Sequence, residues 1–255
     1  MTETRKAFVV GGTGGVGSIL IDELIQRGYT VSATYRKEQD KEKLESQGAT
    51  AVHMDFVQMD EDAIQKALEG FQTVFFAAGS GGKDVYKIDR DGAIKFANAI
   101  RRMENAHPHY IVLSALGCDQ PDKMPENLKE YSKAKKEADD VIAAMEDKGV
   151  QSTIVRPGNL TNDSAKENII FRGVVYGQSI EAKSIVDSFD ANELVNTRSD
   201  VAKVMAESAD IFTDNNNRKT RVFEMIQGNE SDHGSPIHEG LSSMKLDYNI
   251  APQKS

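Results

Sequence analysis

Ala7-Phe8-Val9-Val10-Gly11-Gly12-Thr13-Gly14-Gly15-Val16-Gly17 is the stretch whose reading decides the fold. It reads as a short apolar strand, a glycine-rich turn and the opening of a helix. Gly11, Gly14 and Gly17 recur at every third residue. A turn this tight needs residues without a Cβ, and so does a backbone that must touch a pyrophosphate. The helix that follows offers free N–H groups and its positive dipole end to phosphates. Glycines also serve ordinary turns, so the context decides. Here a buried-type strand comes before, and Ile19-Leu20-Ile21-Asp22-Glu23-Leu24-Ile25 follows with helical apolar spacing. The stretch therefore predicts a dinucleotide site, with Gly11, Thr13, Gly14, Gly15, Val16 and Gly17 at the phosphates.

Working outward, the 255 residues suit one large α/β domain or two small ones. The net charge of -9 argues against nucleic acid or an anionic membrane as partner. The single cysteine, Cys118, leaves no intrachain disulfide and no cysteine-based metal site. No apolar run is long enough to span a bilayer. The N-terminus lacks a signal h-region, so a cytoplasmic enzyme with a small-molecule substrate, monomeric or homodimeric, is the expectation.

Taken in order, strands are expected at Tyr29–Tyr35, Thr50–Met54, Thr73–Ala77, Tyr110–Leu113, Ser152–Val155 and Arg221–Ile226. Helices are expected at Glu38–Ser46, Asp60–Leu68, Tyr86–Arg102, Leu128–Met145 and, capped by Ser199, Asp200–Phe212. Strands apolar on both faces and alternating with helices predict a doubly wound parallel sheet, a Rossmann fold. The ligand crevice then lies at the carboxyl ends of the strands. From Asn159 to Thr197 the pattern has no clean period. We read 1–255 as one domain, with a small C-terminal substrate-binding portion built from 159–197 and 227–255. Acidic runs such as Asp139-Asp140 read as solvated helix faces.

Coenzyme type is decided at the end of the second strand. A site selective for NAD tends to carry an acid about 20 residues past the glycines, on the ribose hydroxyls. Here the order is Thr34-Tyr35-Arg36-Lys37, with no acid until Glu38. Arg36 can grip a 2′-phosphate with a planar, permanently charged fork, worth about 1.5–3 kcal/mol. NADP(H) is therefore expected. Asp55, just past the third strand, suits either the adenine amino group or a turn. Ala77, Ala78 and Gly79 would let a ribose approach the backbone, and Gly81, Gly82 and Lys83 continue as a loop.

The reactive candidates are Ser114, Tyr131 and Lys135. Tyr131 and Lys135 lie four apart on a helix and share a face. A phenol with a pKa of about 10 is a poor base at neutral pH. A lysine cation about 4 Å away supplies about 4 kcal/mol at an effective dielectric of about 20, enough to bring it near 7. Tyr131 would then be the general acid–base group, with Ser114 binding the substrate oxygen. Cys118 reads as a small filler, and His233 and His238 as solvated. Phe171, Tyr176 and Phe189 suit either a substrate pocket or core packing.

With these pieces assembled, the sequence resembles the short-chain dehydrogenase/reductase superfamily, in its atypical NmrA-like branch. The resemblance is carried by Val10–Gly17, Phe75–Ser80, Ile88–Ala93, Val112–Ala115 and Tyr131–Lys135. It continues through Thr153–Gly158 and Arg198-Ser199-Asp200-Val201-Ala202. It implies NADP(H) in the first part, with Pro157 and Gly158 also at the cofactor, and substrate at the later segments. It implies that Lys135 holds the nicotinamide ribose. An oxidoreductase acting on a carbonyl or hydroxyl leads. A coenzyme-binding redox sensor and an epimerase with bound NAD(P) are the alternatives.

Overall fold

The computed structural model describes residues 4–104, 107–174, 190, 192–212, 219–228 and 234–247. The chain runs β1 (Lys6–Val10), α1 (Gly15–Gln26), β2 (Thr30–Tyr35), α2 (Lys41–Ser46), β3 (Thr50–His53), α3 (Glu61–Ala67) and β4 (Thr73–Phe76). It continues through α4 (Asp91–Arg101), β5 (His109–Leu113), α5 (Glu126–Ala143) and β6 (Ser152–Pro157). Then come β7 (Asn159–Thr161), β8 (Asn168–Val174), β9 (Val195–Thr197), α6 (Arg198–Ile211), β10 (Arg221–Gln227), β11 (Ser235–Pro236) and α7 (Ile237–Asp247).

The main sheet has the order β11-β8-β10-β6-β5-β4-β1-β2-β3. From β3 through β1 to β10 every neighbouring pair is parallel, while β8 and β11 close the far edge antiparallel. The period-2 alternation of β1 shows why helices cover both faces. Ala7 and Val9 pack with Leu20, Leu24, Val201 and Met205 of α1 and α6. Phe8 and Val10 pack with Ile64, Phe96 and Ile142 of α3, α4 and α5. The expected doubly wound sheet is thus the observed one. Its strand order reverses at β1, which pairs with β2 on one side and β4 on the other. That reversal opens the crevice at the glycine-rich turn.

Three local expectations are corrected. The stretch 159–197 contains strands: β7 pairs with β9 in a small second sheet, and β8 joins the main one. The partners of β8 lie far along the chain, in β10 and β11, so no local period announces it. The cap of α6 is Thr197, whose Oγ1 accepts from the Asp200 N–H at 3.0 Å, rather than Ser199. The helix expected over Tyr86–Arg102 begins as a wide π turn, Val85–Arg90, before α4. Such turns re-aim side chains and recur at functional sites.

Among the described residues no helix is long and apolar enough to cross a membrane.

Candidate functional site

Gly11 shows why the turn cannot carry side chains. Its φ is +86°, and a Cβ there would lie 2.6 Å from the Ala78 nitrogen. A Cβ on Gly17 would lie 2.2 Å from the Gly11 carbonyl oxygen. The turn is locked by Gly14 N–H donating to Gly11 O at 3.0 Å and by Gly11 N–H donating to Thr34 Oγ1 at 3.0 Å. Gly15, Val16 and Gly17 form the first turn of α1, whose N–H groups find no acceptor inside the helix.

A cavity of about 250 Å³ opens above this turn. Gly11, Thr13, Gly14, Ala77, Ala78, Gly79 and Arg36, all expected at the coenzyme, line it. Sequence reading missed Thr34, Tyr35, Lys37, Gln39, Asp40, Met54, Phe56 and Ile88, which complete the lining. Apolar residues flanking the ends of β2 and β3 are the signal that could have found Met54 and Phe56. Asp55 sits between those two, but its carboxylate accepts from Val57 N–H at 3.2 Å, the turn alternative left open above. Pro157 and Gly158 do not line this cavity. Pro157 is buried at the end of β6, and a Cβ on Gly158 would lie 2.4 Å from the Leu194 carbonyl oxygen, so packing against the β9 approach explains that glycine.

The second half of the site is reached through Ile88 and Gly79. Next to them stands Asp89, 1% exposed, on the π turn. Its Oδ2 accepts from Ser80 N–H at 3.1 Å, and its Oδ1 lies 3.3 Å from Lys135 Nζ. Lys135 Nζ also donates to the Leu113 carbonyl at 2.9 Å. Its ammonium lies 5.6 Å from the centroid of the half-buried Tyr131 ring. The shared face of Tyr131 and Lys135 is therefore as the helix spacing requires. Asp89 was missed as a partner. Its signal is a carboxylate on the same buried stripe as Ala93, Phe96 and Ile100.

The electrostatics differ from the sequence expectation. Burial pushes the Tyr131 phenol above its usual range, and the opposing pull of Lys135 does not reverse this. Burial is the larger effect, and the Asp89 carboxylate paired with Lys135 raises the phenol further. Burial alone would lower the lysine's pKa, but Tyr131, Asp89 and Asp139 outweigh it, and the amine is held raised, as an ammonium. The structure thus presents a neutral phenol beside a neutralised cation.

Ser114 was expected to bind a substrate oxygen. It is 3% exposed, and its hydroxyl donates to Asp139 Oδ2 at 2.8 Å. Asp139 is not on a solvated face: it is fully buried and takes Arg156 Nε at 2.9 Å. Cys118 is buried beside it, its thiol donating to Asp139 at 3.3 Å. Burial, followed by the Asp139 charge, raises the Cys118 pKa, so the thiol stays protonated. Phe171 packs edge-on against Phe223 with centroids 5.8 Å apart, a core contact. Tyr176 and Phe189 lie outside the described residues.

Comparison with known proteins agrees with this geometry. Residues 11–211 match the model of a family described as NAD(P)H-binding. The chain is 32% identical over 247 residues to a Bacillus subtilis protein described as an uncharacterized sugar epimerase, YhfK, covering 94% of this chain and 100% of that one. A solved structure from Bacillus halodurans, assigned as an NAD-dependent epimerase/dehydratase, is 28% identical with a TM-score of 0.72, over 94% of this chain and 99% of that one. The oxidoreductase ylbE from Lactococcus lactis is likewise 28% identical with a TM-score of 0.72, over 95% and 97%. The glycine turn, the strand order and the matched span together make this chain a member of the NAD(P)H-binding family with a Rossmann-like fold.

Proposed function

We propose that the protein is an NADP(H)-dependent oxidoreductase that reduces a carbonyl group of a small molecule, or runs the reverse oxidation. The observation that carries this reading is the continuity of the site. Gly79 and Ile88 line the coenzyme cavity, Asp89 adjoins them, and Asp89 leads directly to Lys135 and Tyr131. A bound nicotinamide supplies or accepts the hydride. Tyr131, held as a neutral phenol, donates the proton to the oxygen that gains negative charge. That protonation state favours work as an acid at neutral pH, hence reduction. Lys135, anchored by Asp89 and the Leu113 carbonyl, is fixed where it can hold a ribose hydroxyl and stabilise the phenolate left behind. Ser114 shapes the wall from behind, with its proton on Asp139. The relationship to ylbE, an oxidoreductase, supports the class.

The NADP(H) preference is supported by Arg36 and Lys37 in the cavity lining, where Asp40 is the acidic residue. Titration with each coenzyme tests it. Arg36→Ala should weaken NADPH by about 10- to 100-fold, as expected for a hydrogen bond to a charged group, and leave NADH nearly unchanged. An equal loss for both would refute the preference. Following NADPH absorbance against aldehydes, ketones and quinones tests the reaction.

A second reading is an epimerase that keeps its coenzyme, favoured by the two relatives that carry epimerase descriptions. The same panel separates the two. An oxidoreductase consumes NADPH with substrate mole for mole, whereas an epimerase turns over a sugar with no net change in coenzyme.

A further inference from the structure

We propose that Arg198 is the diphosphate clamp of the coenzyme site and couples coenzyme binding to the segment after β6. This rests on the family's dinucleotide site and not on the reaction; the 2′-AMP control below also rests on the proposed NADP(H) preference.

Arg198 is the first residue of α6, but its side chain crosses to α1. A Cβ built on Gly15 would lie 2.8 Å from both Cδ and Nε of Arg198. Gly15 is not among the glycines with positive φ, so its backbone does not require glycine. What a side chain there would meet is the arginine lying over it, which would have to move aside. The guanidinium therefore sits at the first turn of the helix whose free N–H groups and dipole are both positive.

Its partners among the described residues leave that charge uncompensated. Nη1 donates to the Leu160 carbonyl at 3.3 Å and to Asn162 Oδ1 at 2.8 Å, both neutral groups. Among the described residues no carboxylate pairs with it. By contrast Arg27, at the other end of α1, is paired with Glu207 and Asp210. A permanent cation beside a positive helix end is repelled unless an anion lies between them. A diphosphate is that anion. Arg36 lines the cavity and would serve the 2′-phosphate, while Arg198 stands beyond that lining, over Gly15 beside Gly14.

The same helix turn also holds the segment after β6. Arg198 grips Leu160 and Asn162. Asp200, fully buried, accepts from Lys166 N–H at 3.0 Å and from Glu167 N–H at 3.0 Å. Glu167 adopts φ +57°, a left-handed conformation uncommon outside glycine. Both ends of the run 160–167 are therefore tied to one turn of α6, and a phosphate on Arg198 would steady that turn and the run with it.

The test uses NADPH, NADH and 2′-AMP, which has no diphosphate, on the full-length protein. Arg198→Met keeps an apolar stem over Gly15 and removes the charge. It should weaken NADPH and NADH by the same factor, about 10- to 100-fold, and leave 2′-AMP unchanged. Hydrogen exchange across residues 158–168 should slow when NADPH binds the wild type, and not in Arg198→Met at saturating NADPH. Arg198→Lys, which restores the charge, should recover part of the affinity for both coenzymes. Wild-type affinity for both coenzymes in Arg198→Met, or an equal loss for 2′-AMP, would overturn the clamp alone. A wild-type protein that binds neither coenzyme would overturn the dinucleotide site and the clamp with it.

Discussion

Lys135 and Asp139 stand one turn apart on α5, both buried, and each pairs with a residue from another part of the chain. Lys135 meets Asp89 at 3.3 Å, and Asp139 meets Arg156 at 2.9 Å. The chemistry is alike, but the surroundings are not. The Lys135–Asp89 pair borders the loop after β4 through Ser80 and the half-buried Tyr131 ring. The Asp139–Arg156 pair is closed in, with Ser114 and Cys118 both donating to the same carboxylate oxygen. One pair adjoins Gly79 and Ile88 of the cavity lining. The other joins the end of β5, α5 and β6 from inside. An ion pair buried in this way contributes little net stability by itself, but it is costly to break from one side. The difference teaches that a place on the same face of one helix does not decide a charged residue's job. What decides it is which groups the fold packs around it.

Three experiments break or sharpen that contrast. The largest effect is expected at the open pair. Tyr131→Phe should lower kcat by about 10²- to 10⁴-fold, the usual worth of a general acid, with NADPH affinity and the denaturation midpoint unchanged. Retention of more than a tenth of the activity would move proton transfer to another group. Next comes the closed pair. Arg156→Met leaves Asp139 buried without its cation and should cost about 3–5 kcal/mol in urea denaturation. The double variant with Asp139→Leu should regain much of that loss, because the unpaired charge is gone. A single variant as stable as the wild type would mean that the pair is not a unit.

The smallest effect concerns pH. Reduction needs the Tyr131 phenol protonated, so the rate is full below its pKa and is lost as pH rises through it. That pKa is raised by burial, which places the alkaline limb of the wild type above the ordinary phenol range. Asp89→Asn frees the Lys135 charge to act on Tyr131 and should move the limb down by about one pH unit. Asp139→Asn, one turn away and behind the wall, should leave the limb much closer to its wild-type position. Equal shifts from both variants would erase the distinction between the two pairs.

Much of the architecture was legible before any coordinates. The glycine series, the apolar strands and the helix spacing specify the doubly wound sheet, because both signals are local: side-chain period and the absence of a Cβ. Part of the coenzyme cavity's lining followed for the same reason. β8 was not legible, since its partners in β10 and β11 lie far along the chain. Asp139 was misjudged on the sound rule that carboxylates face water, and Asp89 was not singled out at all. Each breaks that rule because its cation, Lys135 or Arg156, is supplied by another element.

By itself, the sequence determined the fold, the dinucleotide turn and the shared face of Tyr131 and Lys135, all set by spacing along one element. Only the tertiary structure decided which charges are spent on one another, where the Ser114 proton goes, and that Arg198 lies over Gly15. Those outcomes depend on burial and on partners distant in sequence. A charge's behaviour is governed by its distance to the nearest opposite charge and by the water it has lost, and neither is a property of the chain read in order.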